Sequence, residues 1–214
     1  MSLSKVRVYP IVRDLHLYFG LFISPFVLVF ACSVFFLVHA WLPRLTGTRQ
    51  ASPQRTAAGL RLPSNLDRLE NRQRVDAVRP VMNELGVAGE INSIRHLPRE
   101  HRLLITVSVP GRETIVDLDY ARRVATISPR DTGLAEAFVY LHKSPGPHLA
   151  LIRGNWAMTQ VWRLLADASV YVLLFLSLSG VYLWTVLRAE RTIGLVLIAL
   201  GAASFFGIVY ALSR

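Results

Sequence analysis

The sequence has one cysteine, few lysines and three long stretches without any charged residue. The single cysteine, Cys32, excludes disulfides, Cys-x-x-Cys redox chemistry and thiolate metal clusters. The chain also lacks a glycine-rich phosphate loop, a His-Glu-x-x-His motif and a recognisable nucleophile motif. Whether it is an enzyme therefore stays open, and our interpretation favours no catalytic activity of its own.

The uncharged stretches predict the architecture. A bilayer core about 30 Å thick requires about 20 apolar residues of helix at 1.5 Å each. No Asp, Glu, Lys or Arg occurs at 15–42, 168–187 or 192–213, so each stretch is long enough to span a membrane. The predicted transmembrane helices are residues 12–42, 160–187 and 192–212.

Basic residues near the ends of these helices predict the orientation, because short cytoplasmic segments are enriched in Lys and Arg. The rule places the flank 1–11 and the loop 188–191 in the cytoplasm and the middle of the chain outside. We therefore expect a multi-pass membrane protein whose N-terminus is cytoplasmic and whose C-terminus is on the outer side. The basic residues are Lys5, Arg7, Arg13, Arg188 and Arg191.

Between the first two spans the sequence predicts a small domain. Residues 43–63 have no apolar period and are interpreted as a linker, and Ser64 with Asp67 indicates a helix start. Gly86 should end this helix, and Pro80 should kink or restart it. Short β-branched runs separated by turns then predict an antiparallel sheet, which completes a domain over 64–130. The runs are 91–97, 102–109, 114–118 and 123–127.

Residues 131–159 are interpreted as a returning helix and loop that lead to the second span. The predicted fold class is therefore an α+β membrane protein, with three transmembrane helices and an extracytoplasmic domain made of a helix and an antiparallel sheet. Ala199, Ala203 and Gly207 form a stripe of small residues that permits close contact with another helix.

The net charge of +10 lies mostly between the first two spans. A basic surface fixed beside a membrane can meet lipid headgroups, an anionic ligand or an acidic partner, or it can be a solvated face. We do not expect nucleic acid as a partner. Arg163 and Asp167 are one helical turn apart, which favours a local ion pair over a proton or ion pathway.

Several motifs resemble those of PepSY-associated transmembrane proteins. They are Arg13-Asp14-Leu15-His16 with Gly20-Leu21, Leu141-His142-Lys143, Ser179-Gly180-Val181-Tyr182-Leu183-Trp184 and, in the middle domain, Ile115-Val116-Asp117-Leu118-Asp119. Ser179 stands where the family usually has Thr, and Arg122-Arg123 stands where it has a Thr-Gly turn. The resemblance implies that residues 64–130 form a PepSY-like domain and that the chain is an accessory or interaction subunit, with another membrane or periplasmic protein as its partner.

The family suggests two alternatives. Some larger relatives carry haem b and reduce ferric siderophores in the periplasm, so this chain is alternatively an electron-transfer subunit in iron uptake. PepSY domains also occur as inhibitory modules, so it alternatively restrains an extracytoplasmic enzyme. Both alternatives stay open at this point.

The candidate haem ligands are histidines, since haem b requires axial His or Met side chains. His16 and His39 are 23 residues apart, about 35 Å on one helix, and cannot share an iron. An inner haem at His16 would need a second chain, whereas His39 with His142 or His148 could form an outer site. The alternative, which we favour, is that His16 hydrogen-bonds near the headgroups and His39 is an interfacial side chain. The candidates are His16, His39, His142 and His148.

Overall fold

The computed structural model describes residues 8–39, 50–63, 65–66, 68–144, 152–187 and 191–213. It divides into two compact units. We call Met1–Pro25 with Ala168–Arg214 the helical unit, and Phe26–Asp167 the sheet unit. The elements in chain order are α1 (Val8–Val38), β1 (Gln50–Ala51), β2 (Arg55–Ala58), α2 (Asn71–Glu84), β3 (Glu90–Leu97), β4 (Arg102–Val109), β5 (Arg112–Asp119), β6 (Val124–Asp131), α3 (Gly133–Lys143), α4 (Ala157–Leu187) and α5 (Arg191–Leu212).

Three of these helices, α1, α4 and α5, are long and apolar enough to cross a membrane. The chain is therefore a multi-pass membrane protein with three transmembrane helices, as the uncharged stretches predict. Helix α1 begins four residues before the predicted start at 12, and it continues through Pro25 without interruption. The predicted end of the first span at 42 lies outside the described residues.

The sheet lies between α1 and α4 in the chain and is antiparallel throughout, with β6, β5, β4 and β3 as successive neighbours. The β5–β6 turn is closed by the Asp119 carboxylate, which accepts hydrogen bonds from the backbone N–H groups of Ala121 and Arg122. Arg123 then adopts a left-handed φ of 57°, at the position where the family motif quoted above has glycine. The predicted strands thus form, and each is within four residues of its predicted bounds.

The outer edge of β6 carries two further strands that the sequence does not predict. β1 and β2 pair with successive parts of the same edge, so they act as one interrupted strand. The prediction that 43–63 is only a linker is therefore wrong for residues 50–51 and 55–58. The reason is physical: Arg55, Thr56 and Ala58 in β2 are exposed, so the strand is held by backbone pairing and shows no apolar alternation.

Helix α2 covers one face of the sheet and supplies much of the core. Val75, Val78, Val81 and Met82 are at most 1% exposed and pack against strand residues such as Leu103 and Val116. The helix runs unbroken through Pro80, so the predicted restart does not occur. Proline removes a single backbone hydrogen bond, and buried residues on both sides of it hold the helix in place.

Helix α2 ends in a Schellman motif. Gly86 has φ +67°, its N–H bonds to the Asn83 carbonyl, and the N–H of Val87 bonds to the Met82 carbonyl. This matches the predicted end at Gly86. The start differs, since α2 begins at Asn71, and the predicted capping residues Ser64 and Asp67 lie outside the described residues.

Candidate functional site

His16 is held by a serine from another helix within the helical unit. Its Nδ1 lies 2.7 Å from the Oγ of Ser179. The Ser179 hydroxyl has one proton, and it donates that proton to the Phe175 carbonyl at 2.6 Å. The hydroxyl therefore accepts a hydrogen bond from the Nδ1–H of His16. In a neutral imidazole this corresponds to the Nδ1–H tautomer, with the lone pair on Nε2.

Gly180 lies beside the His16 ring without being required for the pairing. A Cβ at Gly180 would lie 3.6 Å from the Cε1 atom of His16, an ordinary van der Waals distance, so an alanine would also fit there. One turn away, Phe19 meets Phe175 edge to face at 5.4 Å. Within the helical unit, the Ser179 hydrogen bond therefore positions the imidazole.

His142 in the sheet unit has the same arrangement. Its Nδ1 lies 2.8 Å from the Oγ of Ser33, which is fully buried in α1. Ser33 donates its proton to the Phe30 carbonyl at 2.5 Å, so its oxygen again accepts from the Nδ1–H of the imidazole. The indole N–H of Trp162 donates to the Leu141 carbonyl at 3.0 Å and so fixes the end of α3.

His39 differs because its partner belongs to its own helix. Its Nδ1 donates to the Phe35 carbonyl at 3.0 Å, and its ring stacks on the Phe35 ring at 4.4 Å. Ser33, the partner of His142, and His39 are six residues apart, about 9 Å along α1, so the Cα atom of His39 lies at a different level of the helix from the hydrogen bond between Ser33 and His142. The fourth predicted ligand, His148, lies outside the described residues.

These three described histidines share one chemical property. In each, Nδ1 is hydrogen-bonded to a hydroxyl or carbonyl oxygen, so Nε2 is the ring nitrogen through which the neutral imidazole could bind a metal. Among the described residues there is no group of three or more His, Cys, Asp or Glu side chains that could hold a metal ion. The sequence of the helical unit over its described residues contains His16 but no other His, Cys or Met.

The two serines that hold the histidines are residues that the sequence does not single out as site residues. Ser33 and His142 are 109 positions apart, and His16 and Ser179 are 163 apart. A serine in an apolar span is unremarkable by itself, because its hydroxyl can bond to its own helix. For His16 the available signal was that a histidine within an apolar span needs a polar partner in a solvent without water.

Buried charge in the sheet unit gathers around Glu90. This carboxylate is 1% exposed and accepts a hydrogen bond from the backbone N–H of Gly154 at 2.5 Å. Burial raises the pKa of the Tyr140 hydroxyl, and the charge of Glu90 raises it further. Burial lowers the pKa of the Arg79 guanidinium, and the attraction of Glu90 partly offsets that shift.

The predicted ion pair between Arg163 and Asp167 is absent from the structure, although both side chains are described. Both are exposed, and the ion pairs that form among described residues involve other partners. Exposed charges one turn apart interact weakly because surrounding polar groups compete for them.

Comparison of the chain with family models, with curated proteins and with solved structures finds no match.

Proposed function

We propose that this chain is an accessory subunit of the bacterial inner membrane, related to PepSY-associated transmembrane proteins, that acts by binding another protein. The observation that carries the proposal is the exposure of α5. None of its 22 residues, all of which the structure describes, is buried by its own chain. Nothing lies within 4 Å of a Cβ at Gly207, so the stripe of Ala199, Ala203 and Gly207 is available to a helix from another subunit.

The orientation supports this role. Basic residues near the N-terminus and between α4 and α5 favour a cytoplasmic location for both, which places the sheet and its helices in the periplasm. A reporter that is active only in the periplasm should be active when fused after Arg130 and inactive when fused at Ala189. The reverse pattern would overturn the periplasmic role.

The binding role is tested on α5 with matched glycines. Gly207 lies on the small-residue stripe, whereas Gly201 lies on the opposite side of the same helix, and neither has an atom within 4 Å of its built Cβ. Purification from the native membrane in mild detergent should recover a defined partner with the Gly201→Leu variant and lose it with Gly207→Leu. Equal recovery in both variants would show that the stripe faces lipid.

The second candidate function is that of a haem b-carrying electron-transfer subunit for ferric-siderophore reduction. It is favoured by the Nδ1–H tautomers, because a haem-ligating histidine binds iron through Nε2 while its Nδ1–H is held by a second residue. Haem would supply one-electron transfer. His16 would hold it together with a ligand from a second chain, and in the sheet unit His39 would do so together with His142 or His148.

An absorption spectrum of the detergent-purified chain tests this candidate. We expect no stoichiometric haem in the chain alone, since the described part of the helical unit supplies one histidine. A Soret band that is lost in His39→Ala but kept in His16→Ala and in the surface control His101→Ala would support the pair in the sheet unit. A band in a dimer that is lost only in His16→Ala would support a haem shared between two chains.

A further inference from the structure

The sheet unit contains a cavity of about 300 Å³ at one end of the sheet, bounded by the β4–β5 hairpin, β6 and helix α3. This is the lower end of the size range for small-ligand sites. Four basic side chains and two acidic ones line it. They are Arg112, Arg130, Lys143, Arg153, Glu113 and Glu136.

The charges at this cavity do not balance. Arg130 is paired with Glu113 by a short ion pair. Arg112, Lys143 and Arg153 have no acidic partner within ion-pair distance among the described residues, and Glu136 is the one acidic side chain of the lining besides Glu113. The Nε atoms of Arg130 and Arg153 are buried without a hydrogen-bond partner among those residues. Arg112 and Lys143 are exposed, whereas Arg153 is half-buried, and a partly desolvated cation without a paired counter-charge is costly. A bound anion would supply that counter-charge.

Arg153 is held at the cavity wall by its neighbours. The N–H of Gly154 bonds to the buried carboxylate of Glu90 at 2.5 Å. Asn155 accepts from the N–H of Ile91 at 3.0 Å and donates to the Ile91 carbonyl at 2.9 Å, as a neighbouring strand would. These contacts tie the backbone on the C-terminal side of Arg153 to β3, so the point from which the Arg153 side chain extends is fixed before any ligand arrives.

A β-bulge adds neutral hydrogen-bonding groups to the same wall. The pairing of β3 with β4 shifts between Ile91 and Ser93, which leaves Asn92 as the extra residue. Its side-chain amide donates to the Ser108 hydroxyl at 2.7 Å, and both residues line the cavity. Because the Ser108 oxygen accepts in this bond, its own proton can be donated to a ligand.

We infer that this cavity binds a phosphate group through Arg112, Lys143 and Arg153. Guanidinium forks and an ammonium group are the side chains that recognise phosphate oxygens, and one small tetrahedral anion fits the volume. The cavity includes Ser144, whose carbonyl accepts a hydrogen bond from Trp162 of α4 at 3.1 Å. The site therefore adjoins the start of a transmembrane helix, and the phosphate has two sources, a free phosphate compound or a lipid headgroup.

The test is calorimetric titration of inorganic phosphate into the full chain in a neutral maltoside detergent. We expect one site per chain. Arg153→Gln and Arg112→Gln should each weaken binding about tenfold or more, since hydrogen bonds to charged groups contribute about 1.5–3 kcal/mol. Arg99→Gln is the matched control, because Arg99 is exposed, has no ion pair and lies outside the cavity. It should change the affinity less than about twofold.

The Arg112→Gln variant controls for misfolding. The Arg112 side chain is exposed, so its replacement should leave the midpoint of thermal unfolding unchanged. Repeating the titration in nanodiscs separates the two sources. Binding that persists in nanodiscs containing phosphatidylglycerol indicates a free phosphate compound. Binding that is present in phosphatidylcholine nanodiscs but lost with phosphatidylglycerol indicates the headgroup. Absence of phosphate binding in detergent, or equal binding by Arg153→Gln, Arg112→Gln and Arg99→Gln, would overturn the inference.

Discussion

The sheet with its covering helices and the transmembrane helices bury opposite kinds of residue. In the first region the buried cluster is apolar, and its members, such as Ile91, Leu103 and Ile105, are not exposed at all. In α1, α4 and α5 the buried residues that the structure describes are mostly hydroxylic, while large apolar side chains point outwards. The buried residues of these helices are Ile23, Ser33, Thr159, Ser169 and Ser179.

The difference follows from the two solvents. Apolar burial from water stabilises the sheet and α2 by about 25 cal/mol for each Å². Lipid tails are as apolar as leucine, so in the membrane this driving force is absent, and close packing of small residues with hydrogen bonds between helices takes its place. Replacing a leucine should therefore lower stability most in the sheet, and replacing a glycine or a serine should lower it most in the transmembrane helices.

The largest expected effect is in the sheet. Leu103→Ala removes a side chain with 0% exposure and should lower the unfolding free energy of the sheet region by about 2–5 kcal/mol. Leu200→Ala in α5, where leucine is 59% exposed, should change it by less than about 0.5 kcal/mol. Hydrogen exchange of the β4 amides in detergent measures both. Similar losses in the two variants would contradict the comparison.

The second-largest effect is expected in the transmembrane helices, where replacing two different glycines with alanine should change stability in opposite directions. A Cβ at Gly194 would overlap the indole ring of Trp184, whereas a Cβ at Gly201 meets no atom within 4 Å. Gly194→Ala should destabilise by about 1–3 kcal/mol through overpacking. Gly201→Ala should be neutral or stabilising, because alanine is the better helix former by about 1 kcal/mol.

Thermal unfolding in detergent measures this second prediction. A rise of the midpoint in both glycine variants would show that the contact between Trp184 and Gly194 contributes nothing to stability.

Much of the fold can be predicted from the sequence, because its strongest patterns indicate directly whether a segment is surrounded by lipid or has one face in water. Uncharged windows mark α1, α4 and α5, and alternating β-branched runs mark β3 to β6. β1 and β2 are missed because an edge strand held by backbone pairing leaves little trace in side-chain pattern. Pro80 misleads because tertiary packing on both sides of it outweighs one lost hydrogen bond.

The candidate site is less predictable, since it depends on contacts between distant parts of the chain. Sequence reasoning can select His16 and His142 as polar residues in or near apolar spans. It cannot show that Ser179 and Ser33 face them, nor that both serines have already donated their proton elsewhere. The cavity at Arg153 is hidden for the same reason, because Gly154 and Asn155, which follow Arg153, bond to residues of β3 that are 64 positions away from them.

A smaller effect concerns buried hydroxyls. The Tyr140 hydroxyl is buried near the hydroxyls of Ser144 and Thr159 but makes no hydrogen bond of ordinary geometry among the described residues, in contrast to Ser33 and Ser179 in the membrane helices. Tyr140→Phe should therefore stabilise the protein by about 1 kcal/mol near pH 7 in phosphate-free buffer. Tyr120→Phe is the control, because the Tyr120 hydroxyl lies 3.3 Å from Nε2 of His96, and it should not stabilise.

The same variant has a pH signature. Burial raises the pKa of Tyr140, so the folded state holds this proton more tightly than the unfolded state does. That contribution to stability is fully present below the unfolded pKa of about 10 and is lost as the pH rises through the folded pKa. Tyr140→Phe should lack this alkaline decrease, which urea unfolding between pH 7 and 11 would measure. An unchanged slope would contradict the assignment to Tyr140.

The smallest effect on stability is expected at Ser179, where a change in the NMR spectrum of His16 should also be seen. Ser179→Ala removes the acceptor for the Nδ1–H of His16 and should cost about 0.6–1 kcal/mol, the usual value for a hydrogen bond between transmembrane helices. The matched control is Ser177→Ala, because the Ser177 hydroxyl donates to the Leu173 carbonyl of its own helix.

Nitrogen-15 NMR of labelled histidine should show the Nδ1–H tautomer of His16 in the wild type and in Ser177→Ala. In Ser179→Ala that preference should disappear, and Ser179→Thr, which keeps the hydroxyl, should restore it. If His16 keeps its tautomer without the hydroxyl, the serine does not set the proton position. Hydrogen bonding to a hydroxyl in the helices would then stabilise the fold without affecting the chemistry of His16.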